Sequence, residues 1–216
     1  ADSTGEVATF DPARLPPLLF DVGDLRIGAA ALGQARFRST PMAGGMRMDE
    51  FSTRGGKQRL AANGTWTGRG PTARTRLKLD VDSDDIGARL AGWSLGGQVG
   101  GGKGTLGIDA DWRGGPDALD PLTMQASLRL DARDGRLLEL EPGAGRVLGL
   151  LGIGQLPRRL TLDFRDFFDK GFAFDSITGE VRLADGSART DEIALKGPAA
   201  DIHVRGSADL RTQRFD

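Results

Sequence analysis

The sequence has no cysteine, no tyrosine and a single histidine, His203. Without cysteine there can be no disulfide and no thiolate-held metal, and a cysteine-free chain suits the periplasm and the cytoplasm equally. An excess of either charge is also missing: 29 Lys and Arg stand against 30 Asp and Glu, a formal net charge of −1. Such a chain presents no polyanion-seeking surface, so nucleic acid is not an expected partner. Long hydrophobic runs are absent as well. The longest, over residues 147–153, falls far short of the ~20 apolar residues needed to span a bilayer. Nothing in the sequence has the form of a signal peptide. The chain begins at Ala1 and ends on QRFD, and is expected to be a piece of a longer protein whose targeting segment lies elsewhere.

What is present is glycine and alternation. Gly 33 and Pro 10 together make about a fifth of the chain, below the roughly 25–30% of low-complexity disorder. Residues 1–17 are polar and broken by proline, and read as an irregular entry segment. From Leu18 onward, short runs alternate apolar and polar, the signature of half-buried strands. Phe20 and Val22 lead into Leu25 and Ile27 with a phase shift at Gly23, as a bulge would give. Met46 and Met48 pass to Phe51 with a second shift. Leu60, Ala62, Gly64 and Trp66 share one parity, then Leu77, Leu79 and Val81, then Leu106, Ile108, Ala110 and Trp112. The run Leu122, Met124, Ala126, Leu128 and Leu130 carries Thr123, Gln125, Ser127, Arg129 and Asp131 on its other face. Leu160, Leu162 and Phe164 alternate likewise, followed by Phe172 and Phe174, by Ile177, Val181 and Leu183, and by Ile202 and Val204. Asp185-Gly186 signals a hairpin.

Two segments break the alternation. Ser83 can cap a helix whose first turn holds Asp84 and Asp85, with Ile86 and Leu90 on one face. Residues 144–153, with Val147, Leu148, Leu150 and Leu151, read as a short helix apolar on most sides. The chain is therefore expected to be mainly β: about a dozen antiparallel strands, most of nine to eleven residues, and two short helices. No βαβ rhythm appears. Such strands span about 30–35 Å, and a dozen side by side extend about 55–60 Å. Two short helices cannot cover so wide an apolar face. It must pack on a second sheet, close into a barrel, or curl around an apolar guest.

Motifs that could carry chemistry fail on their surroundings. Gly92-Trp93-Ser94-Leu95-Gly96 has the spacing of a nucleophile elbow, but a helix precedes it and a glycine-rich loop follows. His203, between Ile202 and Val204, reads as a solvated strand residue. Residues 97–103 approach a phosphate loop, yet Gly104 stands where a Ser or Thr should hold magnesium and a strand follows, so these glycines read as turn residues. Asp80, Asp82, Asp84 and Asp85 resemble a calcium loop only in part, with Asp85 where the turn glycine belongs. Gly143-Ala144-Gly145 with Gly149 lacks the frame of a dinucleotide fingerprint. The expectation is no catalytic residue, no metal and no cofactor.

Four segments carry a resemblance. They are SDDIGARLAGW at residues 83–93, GGGKGTLGIDADWRGGP at 100–116, PGAGRVLGLLGIGQLPRRLTLDFRDFFDKGFAFDSITG from residue 142, and GSARTDEIALKGPAADIHVRGSADL at 186–210. In these the chain resembles the C-terminal part of AsmA-like envelope proteins, specifically the YhdP group, over about residues 18–216. The resemblance implies kinship with bridge-like lipid transport proteins. That means a long sheet curled into an open U-shaped groove, anchored in the inner membrane of Gram-negative bacteria by a helix absent here, reaching across the periplasm. It implies phospholipid as cargo moved toward the outer membrane, envelope proteins as possible partners, and residues 18–216 as one β-groove region.

On that reading the groove is lined by Leu77, Leu79, Leu106, Ile108, Leu122, Met124, Leu128, Leu130, Leu160, Leu162, Phe164, Phe172, Phe174, Ile202 and Val204. The 144–153 helix caps the groove, meets a membrane, or simply plugs a core. The competing expectation is a closed β-module that docks envelope proteins and carries no lipid.

Overall fold

The computed structural model describes residues 11–27, 30–56, 58–87, 99–137, 172–212 and 214–215. These form one antiparallel sheet of eleven strands whose spatial order is the chain order. The strands are β1 (Leu18–Ile27), β2 (Ala30–Met42), β3 (Gly45–Gly55), β4 (Gln58–Thr67), β5 (Arg74–Ser83) and β6 (Val99–Arg113). They continue with β7 (Gln125–Leu137), β8 (Phe172–Ala184), β9 (Ser187–Lys196), β10 (Asp201–Asp209) and the two-residue β11 (Arg214–Phe215). Such a meander needs only local turns, and the sequence supplies them. Asp185 (φ 52°) and Gly186 (φ 74°) form the two-residue loop between the paired Ala184 and Ser187; positive φ at both central positions matches the right-handed twist of the flanking strands. The described strands do not close into a barrel: β1 and β11 are opposite edges.

The two foreseen phase shifts are bulges. One lies in β1 between Val22 and Leu25, the other in β3 between Met48 and Phe51. A third, in β9, separates Ile193 from Thr190. Each places extra residues, Gly23-Asp24, Asp49-Glu50 and Asp191-Glu192, between positions of the apolar face that would otherwise fall on opposite faces. The ladders from β4 to β8 run without a shift. Bulges bend a strand and increase its twist, so the distortions sit in the two arms and leave the centre regular.

Other details differ from expectation. Several strands exceed eleven residues: β2, β7 and β8 have 13 and β6 has 15. The strand β6 is long because Gly100, Gly101 and Gly102, read as turn residues, lie inside it with Gly104, and Gly100, Gly101 and Gly104 pair with β7. A Cβ on Gly104 would overlap the Asp131 carbonyl oxygen, so glycine here allows close backbone approach. The strand expected from Leu122 starts at Gln125 instead. Asp120 holds a turn ahead of it, its Oδ1 accepting from Leu122 N at 2.9 Å and its carbonyl from Thr123 N at 3.1 Å.

Within the entry segment, Pro12–Arg14 winds a 3-10 turn against β2, β3 and β4, with Pro12 fully buried. A second 3-10 turn is Gly70–Thr72. The expected cap at Ser83 is present, its Oγ accepting from Asp85 N at 3.1 Å, and Ile86 and Gly87 are helical. The rest of that helix and the whole of the 144–153 helix lie outside the described residues. Both long connections, 84–98 and 138–171, leave the same end of the sheet. Leu137 pairs directly with Phe172, so the second returns where it departed.

Candidate functional site

Residues paired across antiparallel strands share a face, so the register assembles the apolar face row by row. One row runs Val22, Ala35, Thr53, Leu60, Val81, Leu106, Leu130, Gly179, Ile193 and Val204 from β1 to β10. Beside it run Phe20, Phe37, Phe51, Ala62, Leu79, Ile108, Leu128 and Val181. Next comes a row of smaller residues: Ser39, Met48, Gly64, Leu77, Ala110, Ala126, Leu183, Ala188 and Ala208. Ten strands at ~4.8 Å spacing make these rows about 45 Å long.

The side chains of this face pack in three successive clusters. Leu60, Ala62 and Val81 gather Phe51, Leu79 and Leu106. Ala110, Trp112, Met124 and Ala126 gather Leu77, Ile108 and Leu128. Ala132, Phe174, Ile177 and Leu195 gather Leu130, Ile193 and Ile202. Among the described residues no second layer lies over them. Leu60, Ile177 and Leu195 are buried and the other long aliphatic side chains half-buried, while toward the β1 edge Phe20 is 52% exposed and meets the Phe37 ring at 6.1 Å. Polar groups buried within the apolar wall mostly turn into the backbone. Thr75 Oγ1 donates to the Gly114 carbonyl at 2.8 Å, Thr190 Oγ1 to Glu180 at 2.7 Å and Gln58 Nε2 to Ala31 at 3.1 Å. Ser39 and Thr53 are exceptions, buried with unpartnered hydroxyls.

The opposite face is ionic. Arg36 pairs with Asp21 at 2.7 Å, Arg47 with Asp49 at 2.6 Å and Arg182 with Glu180 at 2.9 Å. Burial acts to raise the Asp111 pKa, but hydrogen bonds from Arg74 and Arg76, each at 2.8 Å, outweigh it and hold the carboxyl below its usual range. Three shallow depressions of about 570, 540 and 560 Å³ lie between the long side chains of this charged face. They are crevices among arginines, open to water, floored by the strands that carry the apolar rows on their other side.

Of the residues expected to line a groove, Leu77, Leu79, Leu106, Ile108, Leu128, Leu130, Ile202 and Val204 lie on strands and share the apolar face. Met124 is buried in the central cluster just before β7, and Leu122 sits in the preceding turn rather than on a strand. Phe174, 2% exposed, packs with Ile177 although the two are three positions apart; its ring lies over Gly135, where a Cβ would strike it. Phe172 opens β8. Leu160, Leu162, Phe164, Val147, Leu148, Leu150 and Leu151 lie outside the described residues. Missing from the expected set are Phe20, Phe37, Phe51 and Leu60, which continue the same rows into the β1 arm. Their alternation was legible in the sequence, but the β1 and β3 bulges break its phase. His203 is exposed as expected, its Nδ1 2.8 Å from Glu192 Oε1.

The family described as YhdP protein matches residues 2–216. The chain belongs to the YhdP family. A relative, the intermembrane phospholipid transporter YhdP of Escherichia coli (strain K12), is 33% identical over 156 residues, which is 72% of this chain. The chain spans about 12% of that relative's length. No solved structure matches. Membership accounts for the four sequence segments that carried the resemblance and agrees with a mainly β chain whose described strands form one open sheet.

Proposed function

We propose that the apolar face is one section of a trough for phospholipid acyl chains, with headgroups left in water at its mouth. The trough belongs to a non-catalytic periplasmic segment of an inner-membrane-anchored YhdP-family transporter that carries lipid toward the outer membrane. One observation carries the reading: across ten consecutive strands one face carries rows of mostly apolar residues, and no layer among the described residues covers it. An acyl chain laid along the rows, across the strands, meets mostly apolar side chains from one strand to the next. Each methylene removed from water contributes ~0.8 kcal/mol. Many equal, shallow contacts retain a lipid without trapping it, which is what passage requires. The sheet supplies no energy source, so flow follows a gradient or a partner.

Organic extraction of the purified chain is expected to yield phospholipid in fixed ratio to protein. Leu128→Asp places a carboxylate in the middle of the rows, at a cost of about 3 kcal/mol against hydrocarbon, or roughly a hundredfold in retention. Retained lipid should fall accordingly while the β-sheet signal in circular dichroism persists. A folded wild-type chain that yields no lipid, or a variant that keeps as much as wild type, would leave a protein-docking module as the better reading.

A further inference from the structure

We infer that the charged face holds a binding site for a compact phosphate-bearing anion, built on Arg54 of β3 and Arg59 of β4. The sheet sets four pairs of cations directly opposite one another: Arg54 with Arg59, Arg74 with Arg113, Lys103 with Arg133 and Arg182 with Arg189. Like charges so placed repel and destabilise a sheet. In three pairs a carboxylate relieves the repulsion. Asp111 holds Arg74; Asp134 and Asp131 hold Lys103 and Arg133, at 2.8 and 3.3 Å; Asp191 reaches both Arg182 and Arg189, at 3.1 and 3.8 Å. The Arg54–Arg59 pair is different. Among the described residues no carboxylate comes within 4.0 Å of either guanidinium. Asp82 is the register partner of Arg59 on β5, yet it too stays beyond that distance.

The unrelieved pair faces a depression of about 570 Å³ that also holds Gln34, the cross-strand neighbour of Arg54. Two planar guanidiniums and a side-chain amide lining one concave surface suit a tetrahedral oxyanion, because guanidinium forks match its geometry through paired hydrogen bonds. The other end of the depression carries Asp21, already bound to Arg36, and Glu50, which accepts from Ser52 at 2.9 Å. That acidic end repels an extended polyanion and limits the ligand to a single phosphate group. The ligand is a phosphate mono- or diester, free or as a lipid headgroup. The site lies on the face opposite the apolar rows, so it stands or falls independently of the trough.

Arginine side-chain Nε–Hε resonances of the full chain, titrated in turn with inorganic phosphate and with phosphatidylglycerol vesicles, test the site. Those of Arg54 and Arg59 are expected to move together and saturate. Saturation with inorganic phosphate identifies a free phosphate ligand, and saturation with vesicles alone identifies a headgroup. The double variant Arg54→Gln, Arg59→Gln should weaken binding by about tenfold or more, the worth of one charge-assisted hydrogen bond. Arg189→Gln, from a pair that Asp191 already bridges, should leave binding unchanged. No saturating shift with either probe, or equal weakening in both variants, would overturn the site.

Discussion

At the scale of single residues, the fold depends on a few positions where backbone geometry leaves no choice. Gly186 is the clearest. It has φ 74°, its carbonyl accepts from Leu210 N at 2.8 Å, and a Cβ on it would stand 2.9 Å from the Arg211 guanidinium carbon. Gly186→Ala is expected to cost about 1–2 kcal/mol through the left-handed backbone alone, read as a lower midpoint in chemical denaturation. The Asp185-Gly186 turn was legible because its two residue types are what a two-residue hairpin demands. The glycines of β6 were misread for the converse reason. Glycine is equally at home in a turn and wherever backbones crowd, and only the Asp131 carbonyl beside Gly104 tells the two apart. Leu122 shows a related limit. Its parity matches the strand that follows, but Asp120 ties its amide into a turn first.

At the scale of the strand, what matters is phase. In β3 the extra residue at Asp49-Glu50 lets Met48 and Phe51 share a face despite being three apart. Removing Glu50 should therefore restore simple alternation, straighten the strand and leave the chain folded. In β6, which has no bulge, removing Gly107 should turn Ile108, Ala110 and Trp112 onto the charged face. A side chain the size of Ile108 forfeits about 1.5–3 kcal/mol of burial, so this deletion is expected to abolish cooperative unfolding. Thermal melts of the two deletions check the contrast; equal effects would mean the bulge has no phasing role. The same phase argument explains why the β1 arm escaped the expected lining set: Phe20, Phe37 and Phe51 belong to one row only once the bulges are counted.

Across the whole molecule, an open sheet must keep two faces apart, one apolar and one ionic. The ionic face makes stability depend on acid. Asp49, Asp111, Asp134, Glu180 and Asp209 all have pKa values lowered by folding. For Glu180 the chief cause is the hydrogen bond from Arg182, and for Asp134 that from Lys103. Carboxylates depressed in the folded state contribute stability that is complete above their unfolded values, 3.8 for Asp and 4.5 for Glu, and that disappears as pH falls through the lower folded ones. Unfolding midpoints should therefore hold level from neutral pH down to about 5 and drop below about 4. A decline beginning near neutrality would contradict the assignment. High salt should flatten the acid limb, since most of these pairs are exposed and screened.

The sequence by itself determined most of the described strands, their period-2 faces, the hairpin at Asp185-Gly186 and the two bulges at Gly23 and Asp49-Glu50. All of these are local: alternation, turn chemistry and phase are written within ten or so consecutive residues. Only the tertiary structure decided that the strands stack in chain order into a single open sheet. It alone set Arg54 against Arg59 without an acid between them, and laid the Phe174 ring over Gly135. Those depend on register, which brings together residues far apart in the chain, and a pattern of local periods does not record which strand lies next to which.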